Sequence, residues 1–288
     1  VFPPFLFKLL TKKNGKPRLM PSTLKNFLKT VYVFTVFLIG SILITLIGFF
    51  LLTLGGKTSR HKLIFHKIMS GTFKFFSKVM PEVDCKVENA SEEDFSRPAI
   101  ITCNHQSHLD LLYTLMLSPK IVALTNHWVW NCPFYGWIIR YCDFLPVEDN
   151  IEENIPRLKE LVEKGYSILV FPEGTRSEDC SILRFHQGAF FLADKLGLDI
   201  VPVVIHGIGH FFPKTEFLLR KGSVTVKILD RITPESELRK GLLPRQVASS
   251  VKQLYENEYE GIASIAETAD YYRNLVISNY IYKGAIVE

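Results

Sequence analysis

Residues 98–110 read PAIITCNHQSHLD. An unbroken apolar and β-branched run ends abruptly in a polar stretch that holds two histidines and an aspartate. A short continuous run of this kind suits a strand covered on both faces, as in a parallel sheet. Four further runs resemble it: KIVALT (120–125), YSILVF (166–171), DIVPVVI (199–205) and GSVTVKIL (222–229). Between several of them lie stretches of helical character, EENIPRLKELVEKG (152–165) and GAFFLADKLG (188–197). The alternation predicts an α/β fold with a largely parallel central sheet flanked by helices. Ligand sites in such sheets gather at the carboxyl ends of strands. NHQSHLD (104–110) and FPEGTRS (171–177) both follow apolar runs in that position.

The chain of 288 residues divides by charge upstream of this region. Its first 81 residues carry 13 Lys or Arg and no Asp or Glu, so a +13 front precedes a −8 body within a net charge of +5. A basic front suits nucleic acid or anionic lipid. What lies inside it decides. Val31 to Leu54 are 24 residues without a charge, long enough to cross a hydrocarbon core of about 30 Å. Lysines flank this apolar span instead of interleaving with stacking aromatics, which argues against nucleic acid. Both flanks are basic, so positive-inside asymmetry gives no orientation. A helix tilted or re-entrant against one anionic leaflet fits as well. HKLIFHKIMSGTFKFFSKVM (61–80) then has the spacing of an amphipathic surface helix.

The expected organisation is a basic segment (1–30), a membrane helix (31–54), an amphipathic helix (55–82), the α/β domain (83–243) and a helical tail (244–288). Five cysteines without a CxxC spacing read as reduced thiols of a cytosolic compartment.

Within NHQSHLD, a metal reading competes with an acid–base one. His105, His108 and Asp110 lack the further ligands that zinc requires. His186, His206 and His210 complete no recognisable set, so no metal or other cofactor is expected. A histidine can instead take a proton from a hydroxyl while a carboxylate fixes its other ring nitrogen. If the chain turns into a helix near Ser107, His105 becomes the base and Asp110 its partner. His108 is then a hydrogen-bonded structural residue. In FPEGTRS, Arg176 supplies an anion-binding guanidinium beside Gly174, which permits a tight turn. Trp128, Trp130 and Trp137 suit an acyl groove, a membrane interface or a core equally.

NHQSHLD, FPEGTRS and VPVVIHG (201–207) in this order resemble three of the four blocks of the PlsC-type glycerolipid acyltransferases, over roughly residues 75 to 240. The resemblance implies a membrane-bound O-acyltransferase. In it, His105 deprotonates the acceptor hydroxyl, Asp110 orients His105, and the hydroxyl attacks the thioester of acyl-CoA or acyl carrier protein with no acyl-enzyme. It implies that Glu173, Gly174, Thr175 and Arg176 hold a lysophospholipid-like acceptor, that Pro202 shapes the last block, and that Asn104 and Ser107 support the histidine loop. One block departs: Val147 stands where the family carries an arginine for the acceptor phosphate, with Arg140 nearby. A lysolipid with another head group therefore competes with lysophosphatidic acid.

The start at Val1 and the ending YYRNLVISNYIYKGAIVE (271–288) further resemble the acyltransferase portion of large bacterial fusions, between a lipid exporter and a methyltransferase. That context implies an inner-membrane protein with its site on the cytosolic side, partnered by membrane lipids and the thioester donor. The competing readings are a lipid-binding or scaffolding module without turnover, and a hydrolase, metal-dependent or otherwise. There is no GxSxG elbow for a nucleophilic serine.

Overall fold

The computed structural model of the chain describes residues 21–53, 58–89, 92–132, 136–147, 151–214 and 218–268. The basic segment before residue 21 and the tail from 269 onward, with the expectations that fall there, lie outside the described residues.

Seven strands form one sheet in the order β1-β7-β6-β2-β5-β3-β4. They are β1 (Val83–Asn89), β2 (Ala99–Cys103), β3 (Ile121–Thr125), β4 (Leu145–Pro146), β5 (Ser167–Val170), β6 (Asp199–His206) and β7 (Gly222–Ile228). Every pairing is parallel except β6 with β7. The five apolar runs are all strands. The two strands outside that set, β1 and β4, are the edges. β1 mixes buried and exposed positions and β4 has two residues, so neither carries the continuous apolar signature of a doubly covered strand. β2 and β3 are buried at every position. Side chains such as Ile100 and Ile101, fully covered, each contribute roughly 1.5–3 kcal/mol by leaving water.

Helices cover both faces. In chain order they are α1 (Pro21–Thr53), α2 (Ser59–Val79), α3 (Asp110–Leu115), α4 (His127–Trp130), α5 (Gly136–Tyr141), α6 (Ile155–Glu163), α7 (Gly188–Leu196), α8 (Ile208–Phe211) and α9 (Pro244–Ala266). α9 begins with Pro244, where a missing N–H costs nothing, and the Gln246 amide oxygen accepts from Leu243 N at 2.8 Å. It packs on α7 and β6. Its Tyr255 hydroxyl, fully buried, donates to Thr102 O at 2.7 Å and accepts from Val203 N at 3.0 Å, joining the helix to β2 and β6. The C-terminal helix is thus an integral layer of the domain.

α1 starts ten residues ahead of the uncharged span and takes in Lys25 and Lys29. It is long and apolar enough to cross a membrane. It also packs along α2. Thr30 Oγ1 accepts from Leu219 N at 2.8 Å, Lys25 pairs with Glu82 at 2.6 Å, and Phe34 and Phe37 meet Phe212 and Phe76 edge to face. On the opposite side the apolar side chains of Leu38, Phe49 and Phe50 are each about 60% exposed.

Candidate active site

The loop after β2 is built around one carboxylate. Asp110 begins α3 and is 1% exposed. Its Oδ2 accepts from His105 Nδ1 at 2.7 Å, Gln106 N at 2.6 Å and Ser107 N at 2.8 Å. Two orphan backbone donors and the imidazole therefore share one acceptor, and the loop cannot relax without uncovering them. The ring's other nitrogen, Nε2, makes no hydrogen bond among the described residues. The ring stacks on Phe171 with centroids 4.3 Å apart and stays partly open, its side chain 23% exposed.

Neighbouring side chains brace the turn. Asn104 exchanges both amide bonds with the backbone of Ile205, donating to its O at 2.8 Å and accepting from its N at 2.7 Å. This continues the β2–β6 pairing one step past the strand. Ser107 Oγ donates to Phe212 O at 3.0 Å, and Gln106 Nε2 donates to Cys180 O at 2.8 Å.

The loop after β5 completes the site. Gly174 sits at φ +66 in a turn closed by Gly174 N to Phe171 O at 3.1 Å, a left-handed conformation that strains any residue with a Cβ. Ser177 N donates to His105 O at 2.8 Å. Arg176 is half-buried and its Nη1 is enclosed with no hydrogen-bond partner among the described residues. Burial holds its pKa below the ordinary value while Asp110 acts in the opposite sense.

Not every expected residue points into the opening. Glu173 is 3% exposed, and its two oxygens accept from His105 N at 2.8 Å and Leu183 N at 3.0 Å. It is a strut tying the two loops through its contacts with backbone. Burial pushes its carboxyl up to about 7 against the lowering effect of those two donors. Pro202 lies inside β6, opposite Thr102, and accepts from Leu229 N at 2.9 Å. It shapes the sheet beneath the site and is no part of the loops. Thr175 is exposed beside Gly174. His108 makes no hydrogen bond among the described residues, in contrast to the structural role expected of it. Partial burial and then the nearby Arg176 charge hold its pKa below the usual value.

Val147, just past β4, is 42% exposed and donates its N–H to Thr125 O at 2.7 Å. Arg140 is not a ready substitute for an arginine there. Its guanidinium donates to Trp130 O at 2.8 Å and lies 5.9 Å from the centre of that indole ring. Trp128 is 62% exposed, outside any core.

The sequence profile of the family described as Acyltransferase matches residues 83–206, which include both loops. The fold matches the crystal structure of the 1-acyl-sn-glycerophosphate (LPA) acyltransferase, PlsC, from Thermotoga maritima, with TM-score 0.68 and 26% identity over 84% of this chain and 99% of that one. Over residues 83–206 this chain resembles the PlsC-type glycerolipid acyltransferases. The chloroplastic 1-acyl-sn-glycerol-3-phosphate acyltransferase LPAT1 of Arabidopsis thaliana is 33% identical over 147 residues, 49% of this chain and 41% of that protein. The human 1-acyl-sn-glycerol-3-phosphate acyltransferase alpha is 29% identical over 176 residues, 59% of this chain and 60% of its own length. The match thus spans between two fifths and three fifths of these curated relatives.

One cluster escaped the sequence reading. His206 at the end of β6, His210 in α8 and Glu267 at the end of α9 bring one potential ligand atom each within 4.8 Å of one another. The sequence reading grouped His206 and His210 without Glu267. The third member is 61 residues from His206, so no local spacing could reveal it.

Proposed function

We propose that this chain transfers an acyl group from a thioester, acyl-CoA or acyl carrier protein, to the hydroxyl of a lysoglycerolipid acceptor. The observation that carries the reading is the His105–Asp110 pair beside the half-buried Arg176, whose Nη1 is enclosed. With Nδ1 held by the carboxylate, the tautomer leaves Nε2 as the proton acceptor. The acceptor hydroxyl gives its proton to Nε2 as its oxygen attacks the thioester carbonyl. The thiolate leaves on collapse and takes that proton. Asp110 stabilises the imidazolium in between. Arg176, close enough to depress the His108 pKa, pairs with an anionic group of the acceptor. Phosphate recognition rests on this single arginine, because Val147 offers no donor.

The membrane supplies the acceptor. α1 is tied to the domain and to α2 from Lys25 to Gly48, whose Cα faces Phe65 and Trp137, a length of roughly 35 Å at 1.5 Å per residue. A helix docked along that length presents only its far side to lipid and lies in one leaflet, with the lysines that flank it in the headgroup layer. Nitroxides at positions 38 and 49 should report depths within a single leaflet, and a label beyond the bilayer centre contradicts this placement.

The deciding experiment is transfer of a labelled acyl thioester by the detergent-solubilised chain to lysophosphatidic acid and to lysolipids with other head groups. Acylated product that disappears in His105→Ala, with thermal unfolding little changed, is expected. Turnover retained by that variant, or free fatty acid as the main product, contradicts the mechanism.

A further inference from the structure

We propose that His206, His210 and Glu267 bind one divalent transition metal, of the Zn²⁺ class, that clips the end of α9 to the element buttressing the His105 loop. Glu267 Oε1 lies 2.9 Å from His206 Nε2 and 3.9 Å from His210 Nδ1. The second distance is beyond hydrogen-bond length, so one carboxylate oxygen faces two imidazole nitrogens while bonding only one of them directly. Ligands of a tetrahedral zinc with bonds of about 2.0–2.1 Å stand about 3.3 Å apart. The two separations bracket that value, and all three ligand atoms lie within 4.8 Å of one another. The histidine side chains are each 1% exposed and the glutamate 8%. The rings lie 5.6 Å apart and nearly perpendicular, which lets nitrogens of both point to one centre without stacking.

Two neutral imidazoles and a carboxylate form a mixed nitrogen and oxygen donor set. It suits Zn²⁺ and its first-row neighbours, and is too poor in oxygen for Ca²⁺ or Mg²⁺. The site shares no residue with His105 or Asp110. Its reach toward them runs through α8. A Cβ built on Gly209 would fall 2.4 Å from Cys180 Sγ and 3.1 Å from Gln106 Cβ, so this four-residue helix is in tight contact with the catalytic loop. Phe212, one residue past α8, accepts from Ser107. A metal holding His210 to the end of α9 would therefore fix the shelf on which the His105 turn rests. Its role is structural, and the three residues position the loop without touching substrate.

The test uses the untagged full chain, stripped with chelator and given Zn²⁺ or Co²⁺ alone. Expected are one tightly held metal per chain, visible bands of low-symmetry Co²⁺ without a thiolate charge-transfer band, and a Tm raised by roughly 5 °C at a hundredfold excess over Kd. Glu267→Gln keeps a hydrogen-bonding oxygen for His206 and removes the anionic ligand. It should retain the fold and weaken Zn²⁺ binding by at least about tenfold, whereas His105→Ala should bind as the wild type does. Absence of stoichiometric metal in the wild type, a thiolate band, loss of metal in His105→Ala, or undiminished binding by Glu267→Gln each overturns the proposal. None of these readouts depends on acyl transfer.

Discussion

Asp110→Asn removes one charge from the centre of the site and little else. If the amide oxygen takes the place of Oδ2, it keeps the bonds from His105 Nδ1, Gln106 N and Ser107 N. The NH₂ then occupies the position of Oδ1, a buried atom with no hydrogen-bond partner among the described residues. The fold loses about 1–3 kcal/mol for that unsatisfied donor and survives. The imidazolium formed during transfer loses more. At an effective dielectric constant of about 20, unit charges 2.7 Å apart attract by about 6 kcal/mol. A neutral acceptor retains roughly half of a charge-assisted bond, which leaves a deficit of about 3 kcal/mol, or 10²–10³-fold in kcat. The assay is thiol release from acyl-CoA with a lysolipid acceptor, alongside thermal unfolding. A fall in kcat of that size with KM nearly unchanged is expected, because the charge matters only once the proton has moved. An Asp110→Asn enzyme within threefold of wild-type kcat refutes the charge-stabilised base.

Two further outcomes follow from the same geometry. The Glu173 carboxyl is raised from 4.5 to about 7 by burial, so its contribution to stability is fully present below about 4.5 and is lost as pH rises through about 7, on the order of 3 kcal/mol. The wild-type stability relative to Glu173→Gln, measured by denaturant unfolding, should fall across that window. A flat difference contradicts the assignment. Val147→Arg places a guanidinium at an exposed position past β4 and should raise kcat/KM for a phosphomonoester acceptor by about tenfold relative to a neutral lysolipid. Unchanged acceptor preference would show that Arg176 alone sets phosphate recognition.

The strongest sequence signals were those whose physics is local. Strands covered on both faces must be continuously apolar, so five of seven were legible. The edges β1 and β4 were not, because an edge position relaxes that demand. His105 and Asp110 were also legible as a pair, since five residues and one turn into a helix suffice to join them. The bracing role of Glu173 was not legible, because a carboxylate within FPEGTRS has the same spelling whether it faces a ligand or the backbone. Only the packing of the β5 loop against the β2 loop directs its oxygens at His105 N and Leu183 N.

By itself, then, the amino-acid order determined the α/β class, the apolar N-terminal helix and the two loops around His105 and Arg176. All of these depend on periodicity or on neighbours within a few residues. The tertiary structure alone decided how α1 docks along α2, that the C-terminal helix belongs to the domain core, and that Arg140 is held by Trp130. It alone joined His206 and His210 to Glu267. Contacts between residues distant along the chain arise from which apolar faces are buried together, and that choice leaves no spacing in the sequence to read.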